Sequence, residues 1–564
     1  MKTLCQEEVC IEMRTLALIV FFQFLTLFIS ARDNRAKYWI TFTDKDNTPY
    51  SVENPEDFLS EKAIERRDRQ SIEIIEEDLP VDPVYIQNLN DLGLSVINIS
   101  KWFNGVLVAT DDSVLMDTIH HLDFIQGPAV FVKPALSDSI ESVASKKLRT
   151  VFDPVLPDYG YSANQVEMLN GDYLHQQGFT GEDMTIAILD AGFQNTNEIS
   201  SLQHIWNDDR IIGIHDFVQD GTNILENHNH GTIVFSVIGG IEDQLLYGTA
   251  PHADFALIRT EDGPSEFLIE EYNWICGAEF ADSIGADVFN TSLGYSLFDD
   301  TTQNHTYADM DGETTPITIA ANIAASKGIV LVGSAGNAGA STWYRITAPA
   351  DAVDYLTIGA VDADGFITDF SSRGPSYDGR VKPDVVAQGL YTTSQLPDGE
   401  FAGVSGTSLS SPVVCGLVAC LWQSNPEANY KQVLDAVRQS SSQYLTPDQD
   451  YGYGIPDFLK ANLILKNNLQ HEFDKSLEIS VFPNPVSDNL FLEVYLRTVG
   501  IEPENIRIRF TDLTGRIIKI EDRSVINRYS IMEFDDIGYL PNGVYMIQII
   551  VSGTAYSASF VKID

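Results

Sequence analysis

The hydrophobic positions of this chain change rhythm several times. Residues 16–29 are almost wholly apolar, broken only by Gln23 and Thr26. That run is too short for a comfortable bilayer span and has the length of a secretory h-region. Ser30 and Ala31 supply small residues for cleavage. Glu7, Glu8 and Glu12 stand where such a signal needs positive charge, whereas Met13 and Arg14 make an ordinary basic start, so Met13 is expected as the true first residue. Beyond the signal, residues 37–42 read as a strand, 55–69 as a helix opened by Pro55, 84–92 as a second helix, and 93–99 and 105–109 as strands. This mixture predicts a small α+β domain. Residues 137–161, with Lys146, Lys147, Pro154 and Pro157, read as an exposed linker.

From about residue 166 the pattern becomes short apolar runs separated by helical stretches. The runs are 184–189, 255–258, 287–290, 329–332 and 356–359; the helices are 230–239, 265–284, 316–327 and 408–422. Apolar strands alternating with helices predict an α/β fold, a doubly wound, mostly parallel sheet buried on both faces. Ligands of such sheets bind beyond the carboxyl ends of the strands. Asp190 and Asn290 fall at those ends, and residues 333–337 follow another. The last hundred residues switch to short strands at 477–482, 490–495, 506–512, 516–520, 529–534, 543–551 and 556–561, an all-β sandwich pattern.

Composition narrows the function classes. The 564 residues are 44% hydrophobic and 21% charged, a globular balance, and carry a formal net charge of −46. A chain this acidic repels nucleic acid and anionic lipid, so no nucleic-acid partner is expected. Of the cysteines, Cys5 and Cys10 precede or enter the signal, and Cys276, Cys415 and Cys420 are too few for a disulfide framework. Those three read as small buried hydrophobes.

Three short stretches carry the chemistry. Ser408 follows Gly406 and Thr407 and opens a helical run, where a nucleophile gains from the positive helix end and its free N–H groups. An N-cap serine is the plain alternative, and Ser405, Ser410 and Ser411 show how common serine is here. His230, before Gly231 and Thr232, sits at a helix start, whereas His228 reads as a solvated loop residue. A metal reading would need both histidines and a third ligand such as Asp190, and the glutamate of a zinc helix is absent. Asn337 ends a glycine-rich turn and carries an N–H₂ suited to a developing oxyanion, although a turn asparagine explains it equally. Serine oxygen needs a base to take its proton, and a buried carboxylate can hold an imidazole in the required tautomer.

Together these blocks resemble the subtilisin-like serine peptidases, the subtilases, over residues 164–462. The resemblance implies Asp190 as the residue orienting the histidine, His230 as general base and acid, Ser408 as nucleophile and Asn337 as oxyanion donor. It further implies that Ser292, Leu293 and Gly294 line one side of the specificity pocket and Gly333, Ser334, Ala335 and Gly336 the other. Where the family usually has threonine or serine after the aspartate, this chain has Ala191. No cofactor is required for the chemistry. An insertion at 297–315 holds Asp299, Asp300, Asp309 and Asp311; secreted relatives often use structural calcium, and a solvated acidic loop is the plainer reading of the same residues.

The domain at 32–133 resembles a subtilase propeptide in placement and length, which implies an intramolecular inhibitor cut away between Pro134 and Tyr161. The C-terminal blocks, Phe482 to Asp488, Asp512 to Arg516 and Leu540 to Tyr545, look like the sorting domain of the type IX secretion system of Bacteroidetes. That implies export across the outer membrane to a secreted or cell-surface location, with the secretion machinery as partner. The expected organisation is a signal at 1–31, propeptide and linker at 32–150, peptidase at 151–468 and sorting domain at 476–564. The expected activity is a serine endopeptidase acting on polypeptides. A catalytically silent adhesin on the same fold, and an esterase using the same serine, are the alternatives.

Overall fold

The computed structural model describes residues 35–134, 159–219, 221–468 and, with short gaps, 477–563. The signal, Met13, and residues 137–158 of the linker, with its lysine pair and prolines, lie outside the described residues.

The N-terminal unit is a four-stranded antiparallel sheet in the order β2-β3-β1-β4, made of β1 (Ala36–Thr41), β2 (Ser95–Ser100), β3 (Gly105–Thr110) and β4 (Val130–Lys133). The helix predicted over 55–69 is split. A single turn at Pro55–Asp57 stops, and Ser60 starts α1 (Glu61–Arg69) afresh by accepting a hydrogen bond from the Ala63 N–H. A serine at this position satisfies one of the donors that a helix start leaves open. The second helix, α2 (Pro83–Asp91), begins on Asp82 in the same way.

The peptidase unit is built on a seven-stranded, wholly parallel sheet. Its strands are β5 (Thr185–Asp190), β6 (Ile211–Asp216), β7 (Asp254–Arg259), β8 (Val288–Thr291), β9 (Val330–Ser334), β10 (Tyr355–Val361) and β11 (Val385–Gln388), in the order β11-β10-β9-β8-β5-β7-β6. All six residues of β5 and all five of β9 are buried, as strands covered on both faces must be. One face packs its Ile186, Ile188, Val288 and Val332 against α3 (His230–Gly239), and the other packs Ala187, Leu189, Phe289 and Leu331 against α4 (Ile269–Ile284) and α5 (Pro316–Ser326). The α3 side also carries α6 (Thr407–Gln423), α7 (Tyr430–Ser440) and α8 (Phe458–Asn468). Sixteen consecutive residues of α6, Thr407 to Trp422, are buried, so this helix runs through the core with no polar face. Cys415 and Cys420 are among them, and with Cys276 they are buried free thiols.

The C-terminal unit has two antiparallel sheets. One is β12 (Leu477–Phe482), β13 (Leu490–Leu496) and β16 (Tyr529–Phe534); the other joins β14 (Glu504–Asp512), β15 (Ile517–Val525), β17 (Gly543–Val551) and β18 (Thr554–Lys562) in the order β15-β14-β17-β18. Leu490, Leu492, Ile508, Phe510, Ile547, Ile549 and Phe560 form a separate core between them.

Candidate active site

The parallel registers bring the sequence motifs to one edge. Leu189 is paired with Thr291 and Thr291 with Gly333, so the ends of β5, β8 and β9 lie side by side, each about 4.8 Å from the next. Asp190 is the last residue of β5 and is fully buried. His230 is the first residue of α3, and its Nδ1 lies 2.8 Å from Asp190 Oδ1 and 3.0 Å from Oδ2. The carboxylate also accepts the Ala191 N–H at 2.7 Å, so the main chain supplies a donor where a hydroxyl side chain is missing. The backbone is tied from the far side as well, where Thr260 N–H donates to the Asp190 carbonyl. Burial alone would lower the imidazole pKa, but the Asp190 charge and hydrogen bond outweigh it and hold it up at about 8. Among the described residues, the His230 ring has no hydrogen-bond partner other than Asp190.

Ser408 is the second residue of α6, which packs against α3. The turn before it needs glycine: a Cβ on Gly406 would stand 2.9 Å from Ser408 Oγ. The same point is 3.6 Å from Asn337 Nδ2 and 3.7 Å from Ser408 N, so the hydroxyl and two N–H donors converge on one small space. Asn337 is oriented by its oxygen, which accepts from the Thr407 N–H at 2.9 Å and the Thr407 hydroxyl at 3.0 Å. That engagement turns the amide N–H₂ toward Ser408.

Pro412 adds a constraint that the motif conceals. A helical residue at 412 would donate its N–H to the Ser408 carbonyl, and proline has none to give. The vacated carbonyl accepts from the Ser292 hydroxyl at 2.9 Å instead. Ser292 in turn accepts from Asn290, which also receives the Ser411 hydroxyl. The β8 end thus holds the first turn of α6 in place. Leu293 is buried beside it and Gly294 is exposed. On the facing side, Ser334 donates to the Leu293 carbonyl, and Gly336 N–H bonds the Thr407 hydroxyl. Gly333 lies inside β9 and Ala335 is buried.

Sequence reasoning undervalued His228. It is exposed, yet its Nδ1 accepts the His230 main-chain N–H at 3.3 Å and so steadies the turn into α3. No group of three or more His, Cys, Asp or Glu side chains suited to a metal ion occurs among the described residues. The aspartates of the insertion serve local turns. Asp300 accepts from Thr302, Asp309 from Thr306, and Asp311 from Glu313 and Thr314, whereas Asp299 reaches across to the Glu266 N–H.

Comparison with known proteins follows the same divisions. Residues 181–454 match the subtilase family, residues 37–147 a peptidase S8 propeptide domain of Bacteroidota, and residues 480–563 a secretion system C-terminal sorting domain. Subtilisin E of Bacillus subtilis (strain 168) is 29% identical over 308 residues, 54% of this chain and 72% of that protein. Subtilisin of Bacillus pumilus is 29% identical over 294 residues, 51% of this chain and 94% of that protein. Alkaline elastase YaB of a Bacillus species is 25% identical over 354 residues, 61% of this chain and 81% of that protein. The sorting domain marks the chain for export to a secreted or cell-surface location, and among the described residues no helix is long and apolar enough to cross a membrane. The chain carries a subtilase-family domain at residues 181–454 and is a subtilisin-like serine endopeptidase, with a propeptide domain before the peptidase and a secretion sorting domain after it.

Proposed function

We propose that the chain hydrolyses peptide bonds through an acyl-enzyme on Ser408. The Ser408 Oγ attacks the scissile carbonyl carbon while its proton passes to His230 Nε2. The carbonyl electron pair moves to oxygen, and the oxyanion takes hydrogen bonds from Asn337 Nδ2 and the Ser408 N–H. Collapse breaks the C–N bond, and the leaving amine takes the proton from His230. Water then repeats the sequence in reverse and frees Ser408. Asp190 fixes the proton on Nδ1, which leaves Nε2 as the base, and stabilises the imidazolium. No cofactor enters these steps.

The observation that carries this reading is the buried Asp190 carboxylate at hydrogen-bond distance from His230 Nδ1, at the strand edge where Ser408 and Asn337 converge. Serine–histidine contacts commonly tighten only when substrate is engaged. Replacing Ser408 by alanine should abolish casein hydrolysis and fluorophosphonate labelling while the circular dichroism spectrum is retained. Casein digestion also separates this reading from a silent adhesin.

The N-terminal domain would act as an intramolecular inhibitor. It shares a core with α4 and α5 through Trp39, Trp102, Leu107 and Val132, and β4 ends against the loop that follows β7. The C-terminal domain would engage the type IX machinery for passage across the outer membrane. Polypeptides are the partners of the cleft; the charge of −46 disfavours nucleic acid.

A further inference from the structure

The last residue of β4, Lys133, is a lysine with only 6% of its surface exposed, and it belongs to the domain that leaves on maturation. Its ammonium points into the peptidase. Nζ lies 3.2 Å from Asp262 Oδ2, 3.4 Å from Ser265 Oγ and 5.5 Å from the centre of the Phe267 ring. Glu270, at the start of α4, lies behind the Asp262 main chain, within electrostatic reach of Lys133. It is fully buried; one of its oxygens receives the Asp262 N–H and the other has no hydrogen-bond partner. A buried unpartnered carboxylate oxygen is costly, and it points to a cation as the natural guest. Burial and the charges of Glu261 and Glu266 push the Glu270 carboxyl well above the usual range, and the Lys133 ammonium pulls it back.

The pocket adjoins the chemistry. Its loop begins at Thr260, whose N–H holds the Asp190 carbonyl, and passes Gly263, which backs onto the His228 ring. Glu261, between them, senses both Asp190 and His230; burial and the Asp190 charge raise it to about 7. Across from this loop, Gln303 reaches the Phe131 carbonyl and holds β4 from its other side. Lys133 lies on the N-terminal, acyl side of any cut that would free the propeptide.

We infer that Asp262, Ser265, Phe267 and Glu270 form an acidic specificity pocket that selects peptides with a lysine on the acyl side of the cut bond, and that Lys133 fills this pocket in the precursor. This rests on the peptidase reading above. The ammonium lies over the Phe267 ring and meets Asp262, so a lysine suits the space.

The test uses full-length chain allowed to process itself, assayed on a peptide series with lysine or norleucine placed in turn at each acyl-side position. The expected result is a roughly ten- to hundredfold higher kcat/KM for lysine at one position, the worth of a charge-assisted hydrogen bond, collapsing in both Asp262→Asn and Glu270→Gln. Hydrolysis with no lysine preference, or a preference that both variants keep, overturns the inference while leaving the peptidase reading intact. If no peptide is cut, that reading falls and a second arm decides the pocket. In full-length Ser408→Ala chain, Lys133→Asp should raise hydrogen exchange across residues 130–133, and Lys133→Asp with Asp262→Lys should restore protection. Unchanged exchange in the single variant would refute a cation-binding pocket.

Discussion

The N-terminal domain meets the peptidase with shared core and buried charge, whereas the C-terminal domain keeps its core to itself. On the N-terminal side, Arg66, Arg67 and Lys101 converge on Asp282, Lys62 and Arg69 reach Asp287, and Lys133 reaches Asp262. In the opposite sense, Lys327 of the peptidase reaches Glu77 and Asp78. Glu279 receives the Ser100 hydroxyl and the N–H groups of Lys101 and Trp102. On the C-terminal side, Phe491 and Ile531 rest on the peptidase core only as partly buried neighbours. Apolar contact alone would let a domain slide. Buried ions and main-chain acceptors fix one register, because each leaves an orphan if displaced. A domain that acts as the proposed inhibitor must dock in one register, and a domain that serves as an export signal has no such need.

The comparison would break most visibly at Asp282. Asp282→Asn leaves Arg66 buried without its counter-charge and takes from Arg67 one of its two, Asp78 being the other, a cost of about 3–5 kcal/mol. In Ser408→Ala chain, added protease should then cut within residues 35–134 while 181–454 stays resistant. Acid should act in the same direction. Burial alone would raise the Asp282 pKa, but Lys101, Arg67 and Arg66 overcome it and hold it well below the ordinary 3.8. A depressed carboxyl contributes stability above its unfolded value and loses it as pH falls through the folded one, so N-terminal docking should weaken only in strong acid. Limited proteolysis across a pH series checks this.

Glu279→Ala comes next. It orphans one hydroxyl and two main-chain N–H groups, at about 1–3 kcal/mol each if they stay dry. The expected effect is faster exchange of the Lys101 and Trp102 amides. Removing residues 477–563 sharpens the contrast from the other side. It should leave the pH dependence of kcat/KM unchanged, with activity rising as His230 loses its proton near pH 8, since the base works only when neutral. The stability sign is opposite. A raised histidine contributes fully below its unfolded value of 6.5, and that contribution is lost as pH rises through about 8. Smallest is Ile531→Ala, which should shift peptidase unfolding by about 0.5 kcal/mol or less, read by calorimetry.

Much of the fold was legible because parallel strands announce themselves. β5, β7, β8, β9 and β10 are dense in Val, Ile, Leu and Phe, and α3 was readable at both ends. The edge strand β6 was not, because Gly213 and His215 dilute a segment that is only half-buried. β11 was hidden behind Pro383, which reads as a break. At the candidate site, Asp190, His230 and Ser408 stood out through their glycine neighbours. The link from Pro412 through the Ser408 carbonyl to Ser292 did not, since it is a missing donor answered from 116 residues away. Glu270 was equally silent: a glutamate opening a helix reads as solvated until the facing lysine is known.

The most direct trial of the proposed chemistry is intact-mass and peptide analysis of self-processed chain treated with a fluorophosphonate. A single adduct on Ser408, absent from His230→Ala chain, is the expected result. An active enzyme that carries no adduct on Ser408, or stays active with that serine replaced by alanine, would contradict it.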